Sequence, residues 1–317
     1  MRTITALFVG LGSIGTRHLK NLANLCADRG WTLQADALRS DLTRPLRPGA
    51  AELLHAQYTD LTAAPAHYDM VFITNPTSLH AEALRQVKGR GEALFIEKPI
   101  FSAEQTGLAL DELLPAGQKA YVAAPMRWCG AMLALKDRLP ALHPYCARVI
   151  CSSYLPDWRP GVDYRTVYSA RKALGGGVTI DLIHEWDYLV ELFGVPEKLY
   201  NFKGTYSELE IDSDDLSVYI AKYPTLLAEV HLDYFGRGYR RGIELFCRDG
   251  SYLADFGKGT LTLPDGTVQH YEEDVNRRYE REMEYFVDYA LTGCGESCNP
   301  PALALKVLKL TLGENVQ

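Results

Sequence analysis

Three glycines in the pattern Gly10-x-Gly12-x-x-Gly15 stand directly behind a short apolar run at residues 4–9. An amphipathic segment follows, with Ile14, Leu19, Leu22, Ala23 and Cys26 on one face. A second apolar stretch, Trp31 to Leu38, closes a β-α-β unit. Alone, such a glycine pattern says little, but between a buried strand and a helix it predicts dinucleotide binding. Gly10 would allow the tight turn, Gly12 would let the backbone approach a diphosphate, and Gly15 would let helix and strand pack closely. The amides of Ser13 and Ile14 would then face the phosphates at the helix N-terminus. A chain that opens this way is expected to build an α/β fold on a parallel sheet.

The second strand bears on which dinucleotide is bound. An Asp or Glu at its end accepts from the ribose 2′-hydroxyl of NAD. Here the strand runs through Asp36 to end at Arg39-Ser40, a guanidinium and a hydroxyl suited to a 2′-phosphate. NADP is the favoured cofactor and NAD the alternative, with Asp36 as the ribose contact if the strand ends earlier.

Further strands are expected at Asp69–Thr74, Ala93–Ile96 and Tyr121–Ala124. The first opens into Asn75-Pro76-Thr77-Ser78-Leu79-His80, where Thr77 or Ser78 could cap a helix. The second ends in Glu97-Lys98-Pro99. Ligands of open parallel sheets bind beyond the carboxyl ends of the strands. Asn75, Pro76, Thr77, His80, Glu97 and Lys98 therefore join the cofactor-binding candidates. A solvent-facing His80 is the alternative. Lys98, at a strand end and before a proline, suits a proton donor or hydroxyl anchor.

A glycine triplet, Gly175-Gly176-Gly177, precedes a strongly patterned segment. At ~100° per residue, His184, Glu185 and Tyr188 fall within about 60° of Asp181 on a helical wheel. Leu182, Ile183, Trp186, Leu189, Val190 and Phe193 fill the other arc. Asp181 and His184 are an i,i+3 pair, close enough to share or orient a proton. A merely solvated polar face is the alternative.

Between these motifs, residues 131–139 read as a helix and 147–154 as a strand. Residues 156–174 show no period. Their Trp158, Arg159, Tyr164 and Arg165 suit a sugar ring carrying a carboxylate or phosphate. Residues 157–172 hold four positive charges against Asp157 and Asp163. Beyond residue 198, alternating segments separated by turn signals predict an antiparallel meander. Its open apolar face predicts a homodimer or homotetramer. Residues 276–291 and 302–312 read as terminal helices, with Glu280, Glu282 and Glu284 on a solvated face.

At 317 residues, two domains are expected, 1–124 binding the dinucleotide and 125–317 binding substrate and forming the oligomer, with the C-terminal helix free to pack back on the first. A net charge of −7 argues against nucleic acid, and no apolar run has membrane-spanning length. Seven irregularly spaced cysteines argue against a disulfide framework. Cys294 and Cys298 lack the further ligands a zinc site needs, so no metal is expected and their role stays open. A cytoplasmic protein with reduced thiols is the reading.

Taken together, the four stretches Gly10–Gly15, Thr74–His80, Glu97-Lys98-Pro99 and Gly175–His184 resemble the glucose–fructose oxidoreductase / inositol dehydrogenase (Gfo/Idh/MocA) family along nearly the whole chain. The resemblance implies a Rossmann domain followed by an α+β domain with a large, open, mostly antiparallel sheet. It implies hydride transfer between nicotinamide and a hydroxyl or keto carbon of a sugar or cyclitol. Lys98 would touch the reacting hydroxyl, His184 would be the general acid/base, and Asp181 the accompanying carboxylate. Arg127 would lie near cofactor and substrate. Many members space carboxylate and histidine by four residues, whereas here the gap is three. A narrower likeness, through Tyr154-Leu155-Pro156-Asp157-Trp158-Arg159-Pro160, points to acidic or nucleotide-linked sugars. Other readings are a non-catalytic NAD(P)-sensing regulator and a glycoside-cleaving enzyme that uses tightly held NAD transiently.

Overall fold

The computed structural model describes residues 1–316. The chain forms two compact units, Met1–Ala123 with Tyr279–Leu305, and Ala124–Arg278 with the segment from Lys306.

The first unit contains β1 (Thr3–Val9), α1 (Ser13–Asp28), β2 (Thr32–Leu38), β3 (Leu54–Tyr58), β4 (Tyr68–Ile73), α2 (His80–Gln86), β5 (Gly91–Ile96), α3 (Leu110–Leu113) and β6 (Lys119–Val122). Its strands form one parallel sheet in the order β3-β2-β1-β4-β5-β6. The chain reverses direction across the sheet between β1 and β4, which opens a crevice at their carboxyl ends. Ile4, Ala6, Leu7, Phe8, Met70, Val71, Phe72 and Ile73 have no exposed surface, as strands covered on both faces require. The returning segment seals this core. Phe286 packs edge-on to Phe72 and Phe95, with ring centroids 5.4 and 5.1 Å apart. Glu282 is not on a solvated face: it is fully buried and accepts a 2.9 Å hydrogen bond from the Tyr121 hydroxyl. A buried donor on β6 meets a side chain that charge pattern alone assigns to water. The edge strand β3 was not foreseen, because its half-buried sequence carries no apolar run.

The second unit contains α4 (Gly130–Arg138), β7 (Cys146–Tyr154), α5 (Val178–Asp181), α6 (His184–Phe193), β8 (Lys198–Gly204), β9 (Leu216–Lys222), β10 (Leu227–Asp233), β11 (Phe235–Cys247), β12 (Gly250–Asp255), β13 (Thr260–Thr262) and β14 (Val268–His270). Its eight-stranded sheet runs β14-β13-β12-β11-β7-β10-β9-β8. This is not a simple meander. β7 inserts between β11 and β10 and runs parallel to β10, while the other pairs are antiparallel. Strand pairing across a hundred residues leaves no local trace, whereas each strand's own alternation does. Asn201, Tyr219, Val230, Val149, Ile243, Ala254 and Leu261 lie in one row on the covered face. The next row, Tyr200, Ile220, Glu229, Arg148, Glu244 and Leu253, faces outward, with Glu229 and Arg148 paired at 3.1 Å. Tyr200, Phe202, Ile220, Leu227 and Leu253 are exposed there.

Two last helices, α7 (Val275–Thr292) and α8 (Pro301–Thr311), each contribute residues to both units. Among the described residues no helix is long and apolar enough to cross a membrane.

Candidate active site

At the carboxyl edge of the first sheet, each glycine of the opening motif has its own task. Gly10 adopts φ +83°, and a Cβ there would stand 2.7 Å from the Asn75 Cα. Gly15 packs so closely that a Cβ would meet the Gly10 carbonyl oxygen and Thr74 Oγ1, both at 2.7 Å. Thr74 also donates to the Gly10 carbonyl at 2.5 Å, which binds the β1 and β4 turns together. Gly12 differs: a Cβ would meet nothing within 4 Å. It is the N-cap of α1 and offers no side-chain acceptor to the first amides. Gly12, Ser13 and Ile14 thus leave an open helix N-terminus, which fits the diphosphate of a dinucleotide.

Along β2, Asp36 is buried. Its carboxylate accepts from the Tyr68 hydroxyl at 2.8 Å and lies 3.2 Å from His55 Nδ1. The Asp36 charge, after burial and that hydrogen bond, helps push the Tyr68 phenol far up. Asp36 is therefore engaged within the sheet by Tyr68 and His55. Arg39 and Ser40 follow the strand end, Arg39 donating to Gln57 Oε1 at 2.7 Å and to the Arg44 carbonyl.

Asn75, Pro76 and Thr77 follow β4 on the same edge, but neither Thr77 nor Ser78 caps the helix after them. His80 is buried, not facing solvent. Its nitrogens face the Ile100 carbonyl at 3.1 Å and the Asn75 carbonyl at 3.0 Å. It ties the β4 turn to the β5 turn, and burial, over those carbonyls, pushes its pKa down. Glu97 is also buried: His18 Nε2 lies 2.6 Å from its Oε1, and the Lys98 amide donates to Oε2 at 3.1 Å. Lys98 is half-buried, and its Nζ makes no hydrogen bond or ion pair among the described residues. The peptide bond from Lys98 to Pro99 is cis.

In the second unit the glycine triplet is a packing device. Gly175 caps a short turn at φ +81°. A Cβ on Gly176 would overlap the Tyr168 carbonyl oxygen, and one on Gly177, at φ +127°, would overlap Asp214 Oδ1. Asp214 in turn accepts from the Thr179 amide at 2.9 Å and from the Thr179 hydroxyl. The patterned segment is not one helix. α5 ends at Asp181, Leu182 turns at φ −101° and ψ 29°, and α6 starts at His184. Glu185 and Tyr188 consequently leave the polar face and are fully buried. Glu185 makes a two-pronged pair with Arg241 at 2.7 and 3.2 Å, and Tyr188 stacks edge-on with Phe256. Asp181 and His184 remain half-buried.

Asp181 acquires partners that lie far from it along the chain. The Tyr234 hydroxyl donates to its Oδ2 at 2.6 Å. Burial, then the Asp181 charge, pushes the Tyr234 and Tyr168 phenols up, so both stay protonated donors. Trp158 packs edge-on to Tyr234 at 5.2 Å and donates from Nε1 to Ser153 Oγ at 3.0 Å. The Arg159 guanidinium lies 5.9 Å from the Tyr168 ring centre and makes no ion pair or hydrogen bond among the described residues. Leu155, Trp158, Arg159 and Tyr164 line a small cleft with Val167.

Two predicted substrate contacts are otherwise engaged. Arg127 is 3% exposed and holds Asp187 at 2.9 and 2.7 Å and Glu191 at 2.6 Å. It anchors α6, and its buried charge is spent on two carboxylates. Arg165 pairs with Asp163 at 2.9 Å and Glu210 at 2.6 Å. The Tyr164 hydroxyl accepts from the Glu210 amide at 3.2 Å. No group of three or more metal-ligating side chains occurs among the described residues.

Residues 4–123 match the family described as "Oxidoreductase family, NAD-binding Rossmann fold", Gfo/Idh/MocA. An uncharacterized oxidoreductase, YrbE, of Bacillus subtilis (strain 168) is 24% identical over 308 residues, 90% of this chain and 86% of that protein. Inositol 2-dehydrogenase of Rhizobium meliloti (strain 1021) is 26% identical over 200 residues, 61% of this chain and 56% of that one. The fold matches levoglucosan dehydrogenase, solved with NADH and levoglucosan, at a TM-score of 0.80, 16% identity, and coverage of 98% and 96% of the two chains. The glycine cradle and the Glu97-Lys98-Pro99 turn both lie within residues 4–123, the part of the chain that matches the NAD-binding Rossmann fold of the Gfo/Idh/MocA oxidoreductase family.

Proposed function

We propose that the protein is an NAD(P)-dependent dehydrogenase or reductase acting at a hydroxyl or keto carbon of a sugar or cyclitol. One observation carries this reading: Lys98, with an unpaired ammonium, stands on the same sheet edge as the Gly10–Gly15 cradle. A protein that only sensed the dinucleotide would need no such group. Bound nicotinamide supplies the hydride acceptor or donor. The chain's own residues would manage the proton and the geometry. In the oxidation direction Lys98 would polarise the reacting oxygen, while His184 and Asp181 keep the roles the family resemblance implies, general base and accompanying carboxylate.

NADP is favoured over NAD, because Asp36 is engaged by Tyr68 and His55 while Arg39 and Ser40 stand at the strand end. An acidic substrate is favoured, with Arg159 rather than Arg165 as its counter-charge, since Arg165 is already neutralised. The exposed apolar side chains on the outer face of the second sheet support a homodimer or homotetramer formed through it.

The test is dehydrogenation of neutral cyclitols and of sugar acids with NAD and NADP, followed by nicotinamide absorbance. Reduction of NADP with a sugar acid supports the full reading. Reduction with neither class of substrate sinks it.

A further inference from the structure

We infer that His18 is a positioning residue for Lys98: from inside α1 it holds the Glu97 carboxylate, and that carboxylate fixes the Lys98 backbone. The inference rests on the reading that Lys98 touches the reacting oxygen.

His18 has no exposed surface, and Glu97 is 7% exposed. A buried carboxylate is costly unless each oxygen is hydrogen-bonded. Here the two oxygens divide the work. Oε1 faces His18 Nε2 at 2.6 Å, and Oε2 accepts from the Lys98 amide at 3.1 Å. Burial would push the Glu97 pKa up, but the His18 hydrogen bond, the Lys98 charge and the Lys98 amide outweigh it and hold it low.

The imidazole has little freedom to do anything else. Its ring is packed against Phe95 at 4.7 Å and Tyr279 at 6.1 Å between centroids. Nδ1 is buried with no hydrogen-bond partner among the described residues, so the proton belongs on Nε2, facing Glu97. A position between two aromatic rings would be filled at least as stably by Leu. What Leu could not do is donate to Glu97. The chain His18–Glu97–Lys98 amide therefore joins the helix whose open N-terminus faces the dinucleotide to the residue that faces the substrate. His80, which ties the β4 and β5 turns through backbone carbonyls, holds the other side of the same edge.

The test is lysine labelling of the full chain with trinitrobenzenesulfonate, resolved peptide by peptide by mass spectrometry. Lys20, exposed on α1, and Lys258, exposed in the second unit, are internal references. His18→Leu should change the Lys98 labelling rate by about threefold or more while both references hold. His18→Gln, which keeps a donor, should restore it to within about twofold of the native rate. NADH affinity, measured by nicotinamide fluorescence, should move less than about twofold in either variant. Native-like Lys98 labelling in a folded His18→Leu protein overturns the inference. So does a His18→Gln protein that labels like His18→Leu, because packing alone would then set Lys98. If His18→Leu does not fold, Glu97→Gln makes the same comparison, and unchanged Lys98 labelling there is equally fatal. The reading of Lys98 itself is tested apart, by Lys98→Met: surviving dehydrogenation sinks that reading whatever the labelling shows.

Discussion

At Gly10, Gly12 and Gly15 the working feature is an absent side chain, whereas at Asp181 it is a side chain and the phenol that reaches it from Tyr234, fifty-three residues away. The first unit shapes its ligand-facing edge from backbone, within a run of six residues that must be contiguous. In the second, side chains from β7, the loop after it, α5 and Tyr234, just after β10, gather around Asp181. A backbone-built site fails when a Cβ is added. A side-chain-built site fails when a polar atom is removed.

The largest effects should separate binding from chemistry. Lys98→Met and His184→Ala should each lower turnover about 10²- to 10⁴-fold, measured by steady-state kinetics, with NADH affinity held within about twofold. A loss in NADH affinity matching the loss in turnover would move either residue from proton chemistry to cofactor binding.

Glycine replacements sharpen the contrast next. Gly12→Val should weaken NADH binding about 10- to 100-fold with little change in melting temperature, since its Cβ enters open space at the helix N-terminus. Gly176→Ala should do the reverse in kind, destabilising the second unit by about 2–4 kcal/mol in urea unfolding, because its Cβ would overlap the Tyr168 carbonyl. Equal loss of stability in both would erase the distinction between a ligand cradle and a packing turn.

Smaller effects probe the side-chain site. Tyr234→Phe removes one donor from Asp181 and should lower kcat/KM about tenfold while leaving NADH affinity alone. Arg159→Leu should raise KM for a sugar acid several-fold, to about tenfold, and leave a neutral sugar unchanged. Equal losses for both substrates would remove the acidic group from the reading. The smallest effect is on acid stability. The Glu97 carboxyl is held below its ordinary value of 4.5, so its contribution is present above that pH and is lost as pH falls through the lower folded value. The stability advantage of the native chain over Glu97→Gln should therefore shrink as unfolding is measured below about pH 4.

The same contrast explains what could be read from the residues alone. Gly10–Gly15, Thr74–His80 and Glu97-Lys98-Pro99 were legible because a crossover between parallel strands puts its ligand groups in short loops at strand ends. The strands of the second sheet were legible one by one from alternation, but not the insertion of β7 beside β10, which is a pairing over long range. Asp181 and His184 were found, yet the helix break between them was not, since Leu182 and Ile183 are apolar and continue the helical pattern. That break is why Glu185 and Tyr188 turn into the core. The burial of Arg127, His80, Glu97 and Glu282 was not legible, because a charged or polar residue shows its buried partner only once the chain is folded. Those partners are Asp187, two carbonyls, His18 and Tyr121. His18 itself gave no signal, lying on the apolar side of a helix whose interest seemed confined to its first turn.

The most direct test of a backbone-built cofactor cradle is titration of native protein, His184→Ala and Gly12→Val with NADH and with NADPH, followed by nicotinamide fluorescence. The native chain and His184→Ala should bind alike, with NADPH the tighter ligand, and Gly12→Val should bind about 10- to 100-fold more weakly while remaining folded. Native-like binding by Gly12→Val would contradict the account at its base.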